Sequence, residues 1–184
     1  MKMIVIAFCC LICLNGFSQD KSKVDSIFGI LKTDGKAADL KRQQMNGNKA
    51  PDFKFYDIFN STIQLSSFND KIILLEFCGY HCGPCRLALP YLKDIENKFK
   101  NKEFEFMSIL NDAPKDTLIA FYKNRKLTNR YLIGDREVNQ QYNVFQLPTF
   151  FVIKNGVILK SFCGFQIGIT DVEIRSFLDR LYEL

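Results

Sequence analysis

The sequence predicts an α/β fold: a mixed central sheet with helices on both faces and a β-hairpin added at its N-terminal side. Three observations carry that expectation. Ile72 to Phe77 is a short run of mostly branched apolar residues, the pattern of a central strand buried on both faces. Strand-like and helix-like stretches alternate from there to residue 142, as β-α-β units do. Thr149 to Ile153 and Val157 to Phe162 are then joined by Lys154-Asn155-Gly156, and an Asn-Gly pair between apolar runs signals an antiparallel hairpin.

Taken in chain order, the first residues lie outside that fold. Lys2 is a short positive start, and Met3 to Leu14 is an apolar run too short for a membrane span of about 20 residues. Asn15-Gly16-Phe17-Ser18 follows, with small residues at the positions a signal peptidase reads, so residues 1–18 are expected to be a secretory signal peptide cut after Ser18. An uncleaved anchor and a lipoprotein are the alternatives. Cys9, Cys10 and Cys13 lack the small residue before them that lipidation would want. Residues 19–47 are polar and lysine-rich, with Val24, Ile27, Phe28, Ile30 and Leu31 spaced for one amphipathic helix. They are expected to form a partly helical, loosely attached extension, with the folded domain running from 48 to 184.

Within the domain, Phe53 and Phe55 alternate with polar residues, and Ile63 and Leu65 do so again beyond the Asn60-Ser61 turn. That pair is the added hairpin. A helix is expected from about Gly83 to Lys100, with Leu92, Ile95 and Phe99 on one face and Pro90 bending it. Phe104 to Leu110 reads as a strand, 115–126 as a helix with Leu118, Phe121 and Tyr122 inward, and Arg130 to Ile133 as a short strand. Residues 135–142 form a short helix, and Thr170 to Leu181 close the chain as an amphipathic one.

Composition narrows the function. The chain of 184 residues holds 25 basic and 20 acidic residues and shows no basic stripe interleaved with aromatics, so nucleic acid is a poor partner. Loss of the signal segment leaves four cysteines, Cys78, Cys82, Cys85 and Cys163, and in an oxidising compartment each needs an explanation.

The chemistry concentrates at His81-Cys82-Gly83-Pro84-Cys85, directly after the buried strand and opening a helix. At a helix N-terminus the Cys82 sulfur lies near unpaired backbone N–H groups and the positive end of the helix dipole, both of which favour the thiolate. Cys85, one turn on, is close enough to bond to it. The first sulfur can attack a substrate disulfide and the second can resolve the mixed disulfide. Two other readings share the motif. A structural disulfide of this spacing staples very little chain. A zinc site built on His81, Cys82 and Cys85 would need a fourth ligand, for which Cys163 and Cys78 are the only thiol candidates. A second feature is Gln146-Leu147-Pro148-Thr149 at the start of a strand, where the proline is either an edge device or a cis residue with a purpose.

From Asn48 to its end the sequence resembles the TlpA/ResA-type thioredoxin-like family. The resemblance rests on Gly47 through Phe53, Leu65 through Lys71, Phe77 through Pro90, and Tyr142 through Phe151 followed by Asn155-Gly156, in the family's order. It implies a thioredoxin-like fold and a cis Leu147–Pro148 peptide facing Cys82 and Cys85. Leu147 would present its backbone to an extended substrate, and Pro148 would keep metal from the thiols. His81, Gly83 and Pro84 would complete the substrate contact, with no metal and no cofactor.

Three departures from the family pattern matter. His81 stands where relatives commonly carry Trp; it is either an aid to the Cys82 thiolate or an exposed residue with no role. Ala88 stands where many relatives keep a buried Glu. Glu76 supplies an acid from the strand instead, either as a proton relay to Cys85 or as a strand-end charge paired with a lysine. Cys78 and Cys163 read as small core or groove residues, with a second redox pair as the alternative. The stretch from Asn111 to Arg130 carries no chemistry the sequence names.

The resulting expectation is an exported, periplasmic thiol–disulfide oxidoreductase. It would act on protein thiols and disulfides, exchange electrons with a membrane thiol partner, and lean toward the reducing direction that cytochrome c maturation uses. An oxidase or isomerase, a thiol peroxidase and a non-catalytic peptide-binding module are the alternatives.

Overall fold

The structure is a computed structural model that describes residues 36–37, 39–110 and 112–183. The expected signal segment and most of the expected extension lie outside the described residues. The chain divides into two units, Met1–Ala38 and Asp39–Leu184. Of the first, Lys36 and Ala37 are described, both helical.

In the second unit the strands are β1 (Lys54–Asp57), β2 (Thr62–Gln64), β3 (Ile72–Phe77), β4 (Phe104–Leu110), β5 (Arg130–Ile133), β6 (Thr149–Lys154) and β7 (Val157–Cys163). The helices are α1 (Gly83–Phe99), α2 (Lys115–Arg125), α3 (Arg136–Gln141) and α4 (Thr170–Glu183). The strands form one sheet in the order β2-β1-β5-β4-β3-β6-β7. β3, β4 and β5 run parallel, while β6 pairs antiparallel with β3 and with β7, and β1 with β5 and β2. This is the mixed α/β sheet of a thioredoxin-like fold, with the added hairpin at one edge. Asn155 (φ 52°) and Gly156 (φ 71°) both occupy the left-handed region in the β6–β7 turn, which an Asn-Gly pair adopts readily.

Alternation along β3 divides the interior in two. Ile72 and Leu74 enter a core with Ala88, Leu92 and Ile95 of α1 and Ile174 and Leu178 of α4. Ile73, Leu75 and Phe77 enter the opposite core, with Val138 of α3, Tyr142 and Phe151. All six β3 residues are buried. The same parity puts Glu76 and Cys78 on the α1 side. A third cluster lies at the C-terminal ends of the parallel strands, where Leu118 and Phe121 of α2 pack with Leu110, Tyr131, Cys78 and Cys85.

Local differences from the sequence reading have simple causes. β2 stops at Gln64 because Leu65 opens a 3-10 turn, Leu65–Phe68, that buries its side chain. α2 ends at Arg125, where Lys126 turns left-handed and its N–H returns to the carbonyls of Tyr122 and Lys123. Tyr122 is half-buried rather than inward. The compact unit runs from Asp39, and the segment leading into residue 48 pairs with β7. Gly47 N–H donates to Ile158 O (2.7 Å), Ile158 N–H to Asn48 O (2.9 Å), and Ser161 Oγ to Asn46 Oδ1 (3.0 Å). Among the described residues no helix is long and apolar enough to cross a membrane.

Candidate active site

Cys82 is the N-cap of α1, and Pro84 lies in the helix's first turn, where a missing N–H costs nothing. Cys82 Sγ accepts from Cys85 N–H at 3.2 Å, so the sulfur already sits on one of the unpaired donors of the helix start. Cys82 and Cys85 are joined as a disulfide with Cα atoms 5.3 Å apart. Cys82 is half-buried and Cys85 is 5% exposed, so one sulfur faces the outside and the other the protein. Gly83, Pro84 and His81 are exposed around them, and the His81 ring stands edge-on to Tyr80 with centroids 4.8 Å apart.

Glu76 is 1% exposed behind the pair, far from the strand-end charge with a lysine partner. Oε2 accepts from Ser108 Oγ (2.6 Å), and that hydroxyl accepts in turn from Asn129 Nδ2 (2.8 Å). Oε1 has no hydrogen-bond partner among the described residues. The neighbouring Cys78 thiol favours the carboxylate slightly, but its own hydrogen bond goes to Ile109 O at 3.8 Å. Burial dominates over the hydrogen bonds and pushes the Glu76 carboxyl up from 4.5 to about 7. Burial, then the Glu76 and Asp112 carboxylates, hold the Cys78 thiol well above its ordinary range, so it stays neutral. A cavity of about 10 Å³, the room of one water molecule, is lined by Glu76, Cys78, Cys85, Leu89, Phe121 and Tyr131 among others.

The Leu147–Pro148 peptide is cis, and Pro148 is buried. Leu147 packs in the same cluster as Cys82 and Cys85. A Cβ placed on Gly79 would meet Leu147 Cδ1 at 3.2 Å and Cys82 Cβ at 3.4 Å, so the proline loop and the first cysteine close on one point. Cys78 and Cys163 are both free thiols, the first buried and the second exposed. Cys163 lies opposite Thr149 in the β6–β7 ladder, beside the loop in which Gly164 N–H donates to Pro148 O (2.8 Å).

Four residues escaped the sequence reading. Ser108 carried a signal: it is the lone polar residue between Met107 and Leu110, and its register partner across the parallel pair is Glu76. Asn129 and Arg86 carried none. Asp112 fell in the stretch assigned no chemistry, yet its carboxylate accepts from Tyr80 N–H at 2.8 Å, in the loop that leads to Cys82.

A Cys-x-x-Cys disulfide at a helix start, on this sheet and facing a cis-proline loop, defines a thioredoxin-fold thiol–disulfide oxidoreductase. Comparison with known proteins agrees. Residues 46–161 match the model of the AhpC/TSA family, and the chain belongs to that family. It is 29% identical over 137 residues to the thiol-disulfide oxidoreductase ResA of Bacillus thuringiensis subsp. konkukian, covering 73% of this chain and 78% of that protein. It is 32% identical over 120 residues to ResA of Geobacillus kaustophilus, covering 64% and 69%. Among solved structures it is similar to a thiol:disulfide interchange protein DsbE from Chlorobium tepidum, with a TM-score of 0.66, 26% identity, and 72% of this chain and 96% of that one covered. The thioredoxin domain of a Bacteroides vulgatus thiol-disulfide oxidoreductase shares the fold, with a TM-score of 0.65 at 20% identity over 74% and 96% of the two chains.

Proposed function

We propose that this chain is an exported reductant of protein disulfides in the bacterial periplasm, recharged by a membrane thiol donor. Its substrates include the disulfides handled in cytochrome c maturation. The observation that carries the reading is the polarity of the pair: Cys82 half-exposed on a helix N-terminus, Cys85 buried, and an acid held near pH 7 behind them.

In the reduced protein, Cys82 as thiolate attacks one sulfur of the substrate disulfide, and the other substrate sulfur leaves as thiolate. Cys85 then loses its proton to the Glu76 carboxylate and attacks Cys82 Sγ. The Cys82–Cys85 disulfide forms, and the substrate departs as a dithiol with both electrons. A carboxyl titrating near 7 can take that proton and return it when the donor reduces the pair. Leu147 and Pro148 hold the extended substrate beside Cys82, and His81, Gly83 and Pro84 form the rest of the contact. Residues 1–18 direct export and are removed, residues 19–47 form the extension, and the domain spans 48–184. The Gly-Pro between the cysteines and the ResA resemblance both favour the reducing direction.

The test is a Cys85→Ser variant. It should accumulate mixed disulfides, all through Cys82, when given unfolded proteins bearing disulfides. Adducts mapped to Cys163 or Cys78, or none at all, would sink the assignment. A non-catalytic binding module would keep its function in Cys82→Ser, which is expected to lose all reductase activity.

A further inference from the structure

We propose that Asp112 and Arg86 act as an opposed charge pair, holding the loop in front of Cys82 and setting how reducing the Cys82–Cys85 couple is. The inference rests on Cys82 being the attacking thiol and deepens that reading.

The loop from Gly79 to His81 connects β3 to α1, and side chains from two other elements hold its backbone. Asp112, after β4, accepts from Tyr80 N–H (2.8 Å) and from His81 N–H (3.4 Å). Arg86, on the first turn of α1, donates from Nε to Tyr80 O (3.1 Å) and lays its guanidinium over the Tyr80 ring at 5.2 Å. Cys82 N–H is held by Gly79 O at 3.2 Å. Phe121 of α2 backs the Tyr80 ring, with centroids 5.6 Å apart. The peptide groups leading into the nucleophile therefore have their partners fixed by one anion and one cation.

Both residues also lie beside the cysteine motif, Arg86 next to Cys85 in the chain and Asp112 at Gly79. A Cβ on Gly79 would come within 2.9 Å of Asp112 Oδ2 and 3.4 Å of Cys82 Cβ, so the carboxylate and the Cys82 side chain border the same point. Glycine is required there by close approach. A negative charge so placed opposes the Cys82 thiolate, and with it the reduced form. Arg86 lines the small cavity together with Cys85 and Cys78, and a positive charge on that side of the motif favours a thiolate. The other titratable groups near the cysteines are Tyr80 and His81 in the loop before Cys82, and Glu76 on β3, Cys78 just after it and Tyr131 on β5, which line the cavity with Cys85. Asp112 makes the couple more reducing and Arg86 makes it less so. Both are positioning residues that act through Cys82.

Two conservative variants separate charge from mere support. Asp112→Asn keeps an acceptor for the loop N–H groups, and Arg86→Gln keeps a donor for Tyr80 O. Loosening of the loop alone would move both variants the same way. The readout is the equilibrium constant for reduction of the disulfide by glutathione at pH 8, together with the pH at which Cys82 becomes alkylated by iodoacetamide. Asp112→Asn should raise the constant about three- to tenfold and let Cys82 ionise at lower pH. Arg86→Gln should lower the constant by a similar factor and delay ionisation. These factors suit one charge at short range near a protein surface, and tenfold corresponds to about 30 mV for a two-electron couple. Asp112→Glu, which keeps the charge, should stay within about twofold of the parent, and it serves also if Asp112→Asn folds poorly. Shifts in the same direction, no shift in either variant, or a Glu variant that behaves like Asn would overturn the proposal. A parent protein that reduces no protein disulfide while the two variants still split would instead overturn the proposed function.

Discussion

Glu76 links the stability of this protein to pH. Its carboxyl is buried, held by one hydrogen bond from Ser108, and raised from 4.5 to about 7. A carboxyl raised on folding is a source of stability that is complete below its unfolded value and fades as pH climbs toward the folded one. The native state thus loses about 3 kcal/mol between roughly pH 4.5 and 7 through this one group. Glu76→Gln keeps the shape and removes the titration. Urea unfolding should show the variant gaining on the parent between pH 5 and pH 8, and parallel pH slopes would contradict the burial argument. In the same variant, resolution of mixed disulfides should slow by up to about 10²–10⁴-fold, the usual range for assisted proton transfer. Its rate should also lose the inflection near pH 7. Stopped-flow measurement of the mixed-disulfide decay reads both. A parent-like rate and profile would leave Glu76 a structural acid only.

α1 does two jobs with two faces. Ala88, Leu92, Ile95 and Phe99 recur at helical spacing and are buried against β3 and α4. The first turn presents Cys82, Gly83 and Pro84 outward. The apolar stripe holds the N-terminus in place, so the dipole and free N–H groups meet Cys82 rather than solvent. Leu92 is 1% exposed and Leu87, on the same helix, is 59% exposed. Leu92→Ala should therefore cost about 2–5 kcal/mol by urea denaturation. Leu87→Ala should stay within about 0.5 kcal/mol of the parent. Equal effects would mean that the helix is not seated by that stripe. α2 shows how an element with little pattern of its own still matters: Phe121 backs Tyr80, and Leu118 closes the end of the parallel strands.

For the molecule as a whole, two cores on either side of one sheet hold the cysteine helix and the proline loop rigidly against each other, which suits a centre that must pass through a mixed disulfide without rearranging. Export is the remaining whole-chain claim. Intact mass of the protein recovered from the periplasm should correspond to a chain starting at Gln19. Retention of residues 1–18 would replace the cleaved signal with an anchor.

Chain order, alternation and local motifs were enough to read the strands, the helices, the Asn155-Gly156 hairpin and the Cys82–Cys85 centre, because each is written in residues a few positions apart. Glu76 could be singled out for the same reason, as the one charge in an apolar strand. That Ser108 is its partner, and that Asp112 and Arg86 clamp the loop, could not. Ser108 meets Glu76, and Asp112 meets Tyr80, each pair 32 positions apart in the chain. That separation is one β-α-β step, and no local period records which side chains it brings together. The parallel register of β3 against β4 places Ser108 opposite Glu76 and carries Asp112 to the loop before Cys82. Burial completes the effect: the Glu76 carboxyl titrates near 7 because the packed sheet, α1 and α2 exclude the water that would otherwise keep it an ordinary acid.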